Sequence, residues 1–283
     1  MSEQLRELTR EEKAKRYSKY YRLGLSIPDP ELMEQLLPDK PLDPDQALMP
    51  DNLSDLLNPG YLEGETGWCV LPNGAGYVAV NNKMPGVTAD MVDWWMWWHS
   101  LESLRYKIWW PKAHVGISLP DPKQHAWVAD PDSEIPHRAR WQGITHNPLE
   151  DVGMGAESIF IYFMTPEQFG FDMSRFVTPR VATAVCANGA SGPLADTSPF
   201  HPKAPAMMCH FIREIPGGIE YRTRFWMGYQ VVEKRPICIL PPGAKVPWQA
   251  AFGLARHNVE EYSNLRVLLP MIYEEQKNKG PLG

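Results

Sequence analysis

Three hydrophobic textures succeed one another along the 283-residue chain, and each predicts a different kind of element. The last is the clearest. Residues 249–269 are proline-free and apolar at helical spacing, which predicts one long helix, kinked or broken at Pro270. Before it, short alternations of apolar and polar residues bounded by Pro, Gly or Asp carry the period of strands with one buried face. Segments 68–71 and 77–80 flank Pro72-Asn73-Gly74, whose Asn-Gly pair supplies the positive φ of a tight turn. Further strands are expected at 114–117, 124–128, 138–142, 158–164, 181–187, 206–213, 219–228 and 236–240. Between these groups, residues 89–104 are apolar nearly all round and follow Thr88, a capping residue, so they predict a buried helix.

The first texture belongs to residues 1–66. Residues 3–23 are rich in Arg, Lys and Glu, with Leu5, Leu8, Tyr17, Tyr20 and Tyr21 on one helical face and Thr9-x-x-Glu12 as a capping box. From Pro28 to Pro59, prolines punctuate short helical pieces at 30–37 and 52–57, with too little apolar periodicity for a separate core. The reading is an α+β chain. Residues 1–66 form a helical arm lying across the main domain or a second subunit. Residues 67–283 form a domain in which a mostly antiparallel sheet receives the terminal helix, with room for a cavity between them.

Composition narrows the function. Eleven tryptophans point to a broad aromatic interior or pocket. A net charge of −6 leaves no basic field for nucleic acid or an anionic membrane, and neither partner is expected. The four scattered cysteines lack a C-x-x-C pair and fit reduced thiols in a cytoplasmic protein. The start of the chain has no apolar signal region, and no run approaches a membrane span.

Nucleotide-binding, serine-hydrolase and zincin motifs are all missing, which leaves the eight histidines and their neighbouring carboxylates as candidate chemistry. On a helix, His257 and Glu261 lie four residues apart and share a face, half of a metal site that needs partners from elsewhere. Such a pair can equally be a surface pair. His114 on a strand suits a core histidine as well as a ligand, and Glu150 with Asp151 suits the start of a turn. The tryptophans at 94–98 read as packing, and His99, His125, His137, His146 and His201 as surface or packing residues, with His146 and His201 flanking loops that could reach a pocket.

A set of motifs in fixed order goes further. Trp94-Trp95-x-Trp97-Trp98-His99 is followed by Tyr106-Lys107, Trp109-Trp110-Pro111 and His114. After these come Asn147-Pro148-Leu149-Glu150-Asp151-Val152-Gly153, Cys209-His210-Phe211, Arg222-x-Arg224-Phe225-Trp226-Met227-Gly228 and His257-x-x-x-Glu261. From Trp94 to Tyr262 this pattern resembles the diacetylphloroglucinol hydrolase and phloretin hydrolase family.

The resemblance implies a START-like helix-grip domain, a zinc ion beneath the long helix, and an N-terminal region used to form a homodimer. It implies hydrolysis of the carbon–carbon bond between an acyl group and a polyhydroxylated aromatic ring, with release of a carboxylic acid. Carried over motif by motif, the zinc ligands fall on His114, Glu150, His257 and Glu261. Glu150 is preferred over the nearby Asp151 and Glu157 because the Glu-Asp-Val-Gly turn follows the family pattern. Tyr106 and His210 would bind substrate and move protons, and Phe225 stands where a second pocket tyrosine is expected.

These residue types suit the chemistry. A phloroglucinol ring can leave as a stabilised enolate of its keto tautomer, and zinc polarises carbonyl oxygens and lowers the pKa of water toward about 7. An imidazole titrating near its ordinary value of about 6.5 would suit His210 to protonate the ring carbon or activate water. Tyr106 would hydrogen-bond a ring hydroxyl or a developing oxyanion. The alternative is a carrier of hydrophobic small molecules, since START-like cavities also hold ligands without chemistry.

Overall fold

The computed structural model describes residues 5–23, 25–150, 156–193 and 204–281. Eight strands make one antiparallel sheet: β1 (Gly67–Val70), β2 (Gly76–Pro85), β3 (His114–Ser118), β4 (Thr145–Glu150), β5 (Glu157–Met164), β6 (Thr183–Pro193), β7 (Ala204–Ile215) and β8 (Gly218–Met227). Their spatial order is β1-β2-β8-β7-β6-β5-β4-β3. A separate hairpin pairs β9 (Tyr229–Val232) with β10 (Arg235–Cys238). The sheet curves around the C-terminal helix, Trp248–Gln276, which packs on β1, on β2 and on the helix Ala89–Trp98. This is the expected α+β helix-grip arrangement.

The period of two along each strand sorts the residues into two cores. On β8, Tyr221 and Phe225 face the C-terminal helix with Trp109, Tyr262 and Leu265, whereas Trp226 faces a second core on the outer side of the sheet. Leu48, Leu53, Leu56 and Leu57 cover that outer core, so the proline-punctuated tract lies across the sheet of its own chain. Glu65 fixes it there. Its carboxylate accepts hydrogen bonds from Arg222 Nε at 3.0 Å and from Arg224 Nη2 at 2.9 Å, and a further one from Arg222 Nη2. Both arginine side chains are almost wholly buried and depend on Glu65 for countercharge.

Local signals account for most elements. Thr9 and Glu12 form the predicted capping box, although the helix it opens is short, Arg10–Ala14, and gives way to a tighter 3-10 helix at Arg16–Arg22. Gly74 sits at φ 88° in the β1–β2 turn, where an added Cβ would meet the Ala244 carbonyl oxygen. Thr88 caps the tryptophan-rich helix through the Met91 amide, as expected.

Other expectations are corrected. The helix expected over 89–104 ends at Trp98; a turn at His99–Leu101 separates it from a second helix, Ser103–Trp109. The strands expected at 124–128 and 138–142 are helices, Pro122–Val128 and His137–Trp141. Pro122 occupies the first turn and Asp121 accepts from the Lys123 amide, and this start signal outweighs a short alternation. Strand β4 is absent from the expected strands; Pro148, a residue that disfavours central strands, is accommodated in it next to the edge strand β3. The C-terminal helix does not stop at Pro270. Leu268, Leu269 and Ile272 remain buried around it, and their packing offsets the hydrogen bond a proline cannot donate. All four cysteines are free, and among the described residues no helix is long and apolar enough to cross a membrane.

Candidate active site

Strand register and helical pitch bring four distant side chains to one point. His114 on β3 lies directly opposite Glu150 on β4, and His257 and Glu261 descend from one face of the C-terminal helix. His114 Nε2 is 3.5 Å from Glu150 Oε2 and 3.4 Å from Glu261 Oε2. His257 Nε2 is 3.4 Å and 3.7 Å from the same two oxygens. All four residues are buried.

These separations test a metal directly. A tetrahedral zinc with nitrogen and oxygen ligands at 2.0–2.1 Å spaces its ligand atoms about 3.3–3.4 Å apart. The four nitrogen–oxygen separations, 3.4–3.7 Å, come close to the edge length of such a tetrahedron. His114, Glu150 and His257 also meet a general criterion for a group able to hold a metal ion.

The outer contacts agree. His114 Nδ1 lies 3.0 Å from the Tyr106 carbonyl oxygen; donating its proton there leaves Nε2 as a lone pair, and Nε2 is buried without a hydrogen-bond partner. The Tyr106 hydroxyl donates to Glu150 Oε2 at 3.0 Å, and the Tyr106 ring stacks on His114 at 3.9 Å. Burial opposes charge at both members of the Glu150–His257 pair. Their mutual attraction still wins: Glu150 is held below the usual carboxylate range, and His257 is lifted to about 9 by Glu261 and Glu150. Two carboxylates out of water require a positive charge between them, and a divalent cation fits that requirement.

The cluster forms one end of a cavity of about 440 Å³ between sheet and helix, walled mainly by apolar side chains such as Met96, Ile161, Phe163 and Phe225. His210 on β7 lines it and faces Thr223 across the β7–β8 ladder, its Nδ1 2.9 Å from Thr223 Oγ1. Its Nε2 is 3.4 Å from the Tyr262 hydroxyl, which lies 3.0 Å from that of Tyr221.

A family model, the DAPG hydrolase PhiG domain, matches residues 48–274, most of the chain. The chain belongs to that family. It is 33% identical over 276 residues to phloretin hydrolase of Eubacterium ramulus, covering 95% of this chain and 93% of the relative. It is 28% identical over 278 residues to 2,4-diacetylphloroglucinol hydrolase of a Pseudomonas species, covering 92% and 88%. A Pseudomonas protegens protein of the same name is 28% identical over 278 residues, covering 92% and 84%. The relatives are named as hydrolases, and this chain is an enzyme rather than a simple carrier.

Within this family frame, His114, Glu150, His257 and Glu261 converge, and Tyr106, His210 and Phe225 line the adjoining cavity. Glu157 also lines the cavity, opposite Glu150 on β5; the group of ligand atoms within 4.8 Å of one another holds His114, Glu150 and His257 and includes neither Glu157 nor Glu261, and Asp151 lies outside the described residues. The expectation of an ordinary imidazole at His210 is corrected. Burial pulls His210 down to about 3, so the neutral imidazole is its resting form at pH 7.

Phe225 offers no hydroxyl, and Tyr262 and Tyr221 supply that polarity beside His210 instead. Neither tyrosine was expected in the site, although Tyr262 falls on the buried helical stripe that runs through Ala255, Asn258 and Leu265. His99 and His146, expected at the surface or in packing, both line the cavity. His125 is exposed and His137 stacks on Trp97 at 4.7 Å, while His201 lies outside the described residues.

Proposed function

We propose that this enzyme hydrolyses the carbon–carbon bond joining an acyl group to a phloroglucinol-type ring, with zinc held by His114, Glu150, His257 and Glu261. The observation that carries the reading is that each of two imidazole nitrogens stands 3.4–3.7 Å from each of two carboxylate oxygens at the end of an aromatic-lined cavity. The names of the relatives, which specify an acylphloroglucinol and phloretin as substrates, support the substrate class. Zinc bound there supplies a Lewis acid for the substrate's oxygens and lowers the pKa of water.

The chain's residues do the rest. Apolar walls and the flat faces of Trp109 and Phe225 bind the ring and exclude bulk water. Tyr106 holds Glu150 and, through its carbonyl, the tautomer of His114. His210 is a neutral imidazole at the wall, oriented by Thr223 and Tyr262, and relays the proton of the attacking water toward the ring without resting as an imidazolium. Hydroxyl adds to the acyl carbon, the carbon–carbon bond breaks with its electron pair passing into the ring as an enolate, and the ring carbon takes up a proton. The products are one carboxylic acid and one deacylated phenol.

The zinc-bound enzyme incubated with an acetylated phloroglucinol in ¹⁸O-labelled water is expected to place one label in the acetate and none in the phenol. Unlabelled acetate, or no acid at all, contradicts the reading. A cytoplasmic homodimer formed through residues 1–66 belongs to the same proposal. Four free thiols and the exposed apolar Leu23, Ile27 and Tyr61 support it.

A further inference from the structure

The cavity has a second polar end that the metal cluster does not use. His99 and His146 are only 2% and 1% exposed, both line the cavity, and their ring centroids are 5.9 Å apart. Among the described residues, no carboxylate pairs with either ring. His99 Nδ1 lies 2.6 Å from the Trp95 carbonyl oxygen; donating its proton there leaves Nε2 as an acceptor. His146 Nε2 is buried and has no hydrogen-bond partner among the described residues. A polar atom left unmatched in an apolar wall costs stability, so its presence calls for a ligand that satisfies it.

Strand β4 measures where this pole lies. His146, Pro148 and Glu150 are its inward residues, so His146 stands two pleats from the metal-facing Glu150, about 13 Å along the strand. A ladder of rings spans the same interval: His114 stacks on Tyr106 at 3.9 Å, and Tyr106 on His99 at 5.8 Å. A group at the pole is therefore remote from a carbonyl placed at the metal cluster. Burial pulls His99 to about 3 and His146 well below the ordinary imidazole range, so neither is a cation at neutral pH. The pole suits a neutral hydroxyl and offers nothing to a carboxylate.

We propose that His99 and His146 form a hydroxyl-recognition subsite that selects substrates carrying a neutral phenolic hydroxyl far from the bond that breaks. The inference rests on the acylphloroglucinol reading of the cavity. Two sources share this chemistry: the ring hydroxyl para to the acyl group, and a hydroxyl at the end of the acyl arm.

Three ligands separate them: an acylphloroglucinol whose arm ends in a phenol, the same ketone with an unsubstituted phenyl arm, and one lacking the para ring hydroxyl. Dissociation constants are measured for wild type, His146→Phe and His146→Gln by calorimetry, and acid release is recorded separately. Wild type is expected to bind the complete ligand at least about tenfold tighter than one of the two truncated ligands. The ratio is expected to fall to near one in His146→Phe and to be partly retained in His146→Gln. The truncated ligand that shows the loss identifies the hydroxyl. A wild type indifferent to both hydroxyls, or a ratio unchanged in His146→Phe, overturns the subsite and leaves the histidines as packing. If His146→Phe does not fold, the same comparison is read from His146→Gln. Discrimination without acid release leaves the subsite standing and removes the hydrolase reading; acid release without discrimination does the reverse.

Discussion

His257→Ala is expected to fold, to retain little zinc and to lose more than about a hundredfold in kcat/KM. Residues that only orient a metal ligand are worth 10–100-fold, and His257 contacts the cluster itself, its Nε2 3.4 Å from Glu150 Oε2 and 3.7 Å from Glu261 Oε2. The variant keeps the fold because the buried stripe of the helix runs on through Ala255, Val259, Tyr262 and Leu265. Glu261→Ala should behave alike, since Glu261 Oε2 stands 3.4 Å from His114 Nε2 and 3.7 Å from His257 Nε2. Metal analysis beside circular dichroism checks both. A folded His257→Ala protein with full zinc and undiminished activity would move the metal elsewhere.

The second large effect lies on the opposite face of the sheet. Glu65→Gln removes the carboxylate between Arg222 and Arg224, whose side chains are 1% and 0% exposed. Breaking a buried pair on one side costs about 3–5 kcal/mol, because the remaining charges stay out of water. For a chain of this size that lowers Tm by about 6–12 °C. The pH dependence follows from the same geometry. Burial alone would raise the Glu65 pKa, but Arg222 and Arg224 outweigh it and hold the carboxyl near 2, against an ordinary 4.5. A depressed carboxylate stabilises the fold fully above its unfolded pKa and loses that contribution as pH falls toward its folded pKa. The gap in Tm between wild type and Glu65→Gln should be constant above about pH 5 and narrow between pH 4.5 and 2. Thermal unfolding across that range measures it, and a gap that widens on acidification would reject the assignment.

The sequence made the helical half of the site legible, because a four-residue spacing on a helix has one geometric meaning. The other half was not a matter of spacing. His114 and Glu150 meet through the pairing of β3 with β4, and Pro148 hides β4 from a reading based on strand propensity. With β4 unseen, the shared inward face of His146 and Glu150 is lost too, so His146 reads only as a surface or packing residue beside a loop that could reach a pocket. Glu150 could be named only through the resemblance to a family. Composition implied an aromatic interior, but not that burial would strip His210 of its ordinary titration, since desolvation is set by what the fold places around a residue. Likewise, the alternation at 124–128 yields to Asp121 and Pro122, because a capped proline start fixes helical backbone while a short alternation fits either structure.

Metal removal and return test the central claim most directly. Purified enzyme stripped with a chelator and separated from it is given an acetylated phloroglucinol, and acetate is followed with and without added zinc. The account predicts no release above background without metal, and full recovery at about one zinc per chain. A metal-free enzyme that releases acetate at the full rate would contradict it.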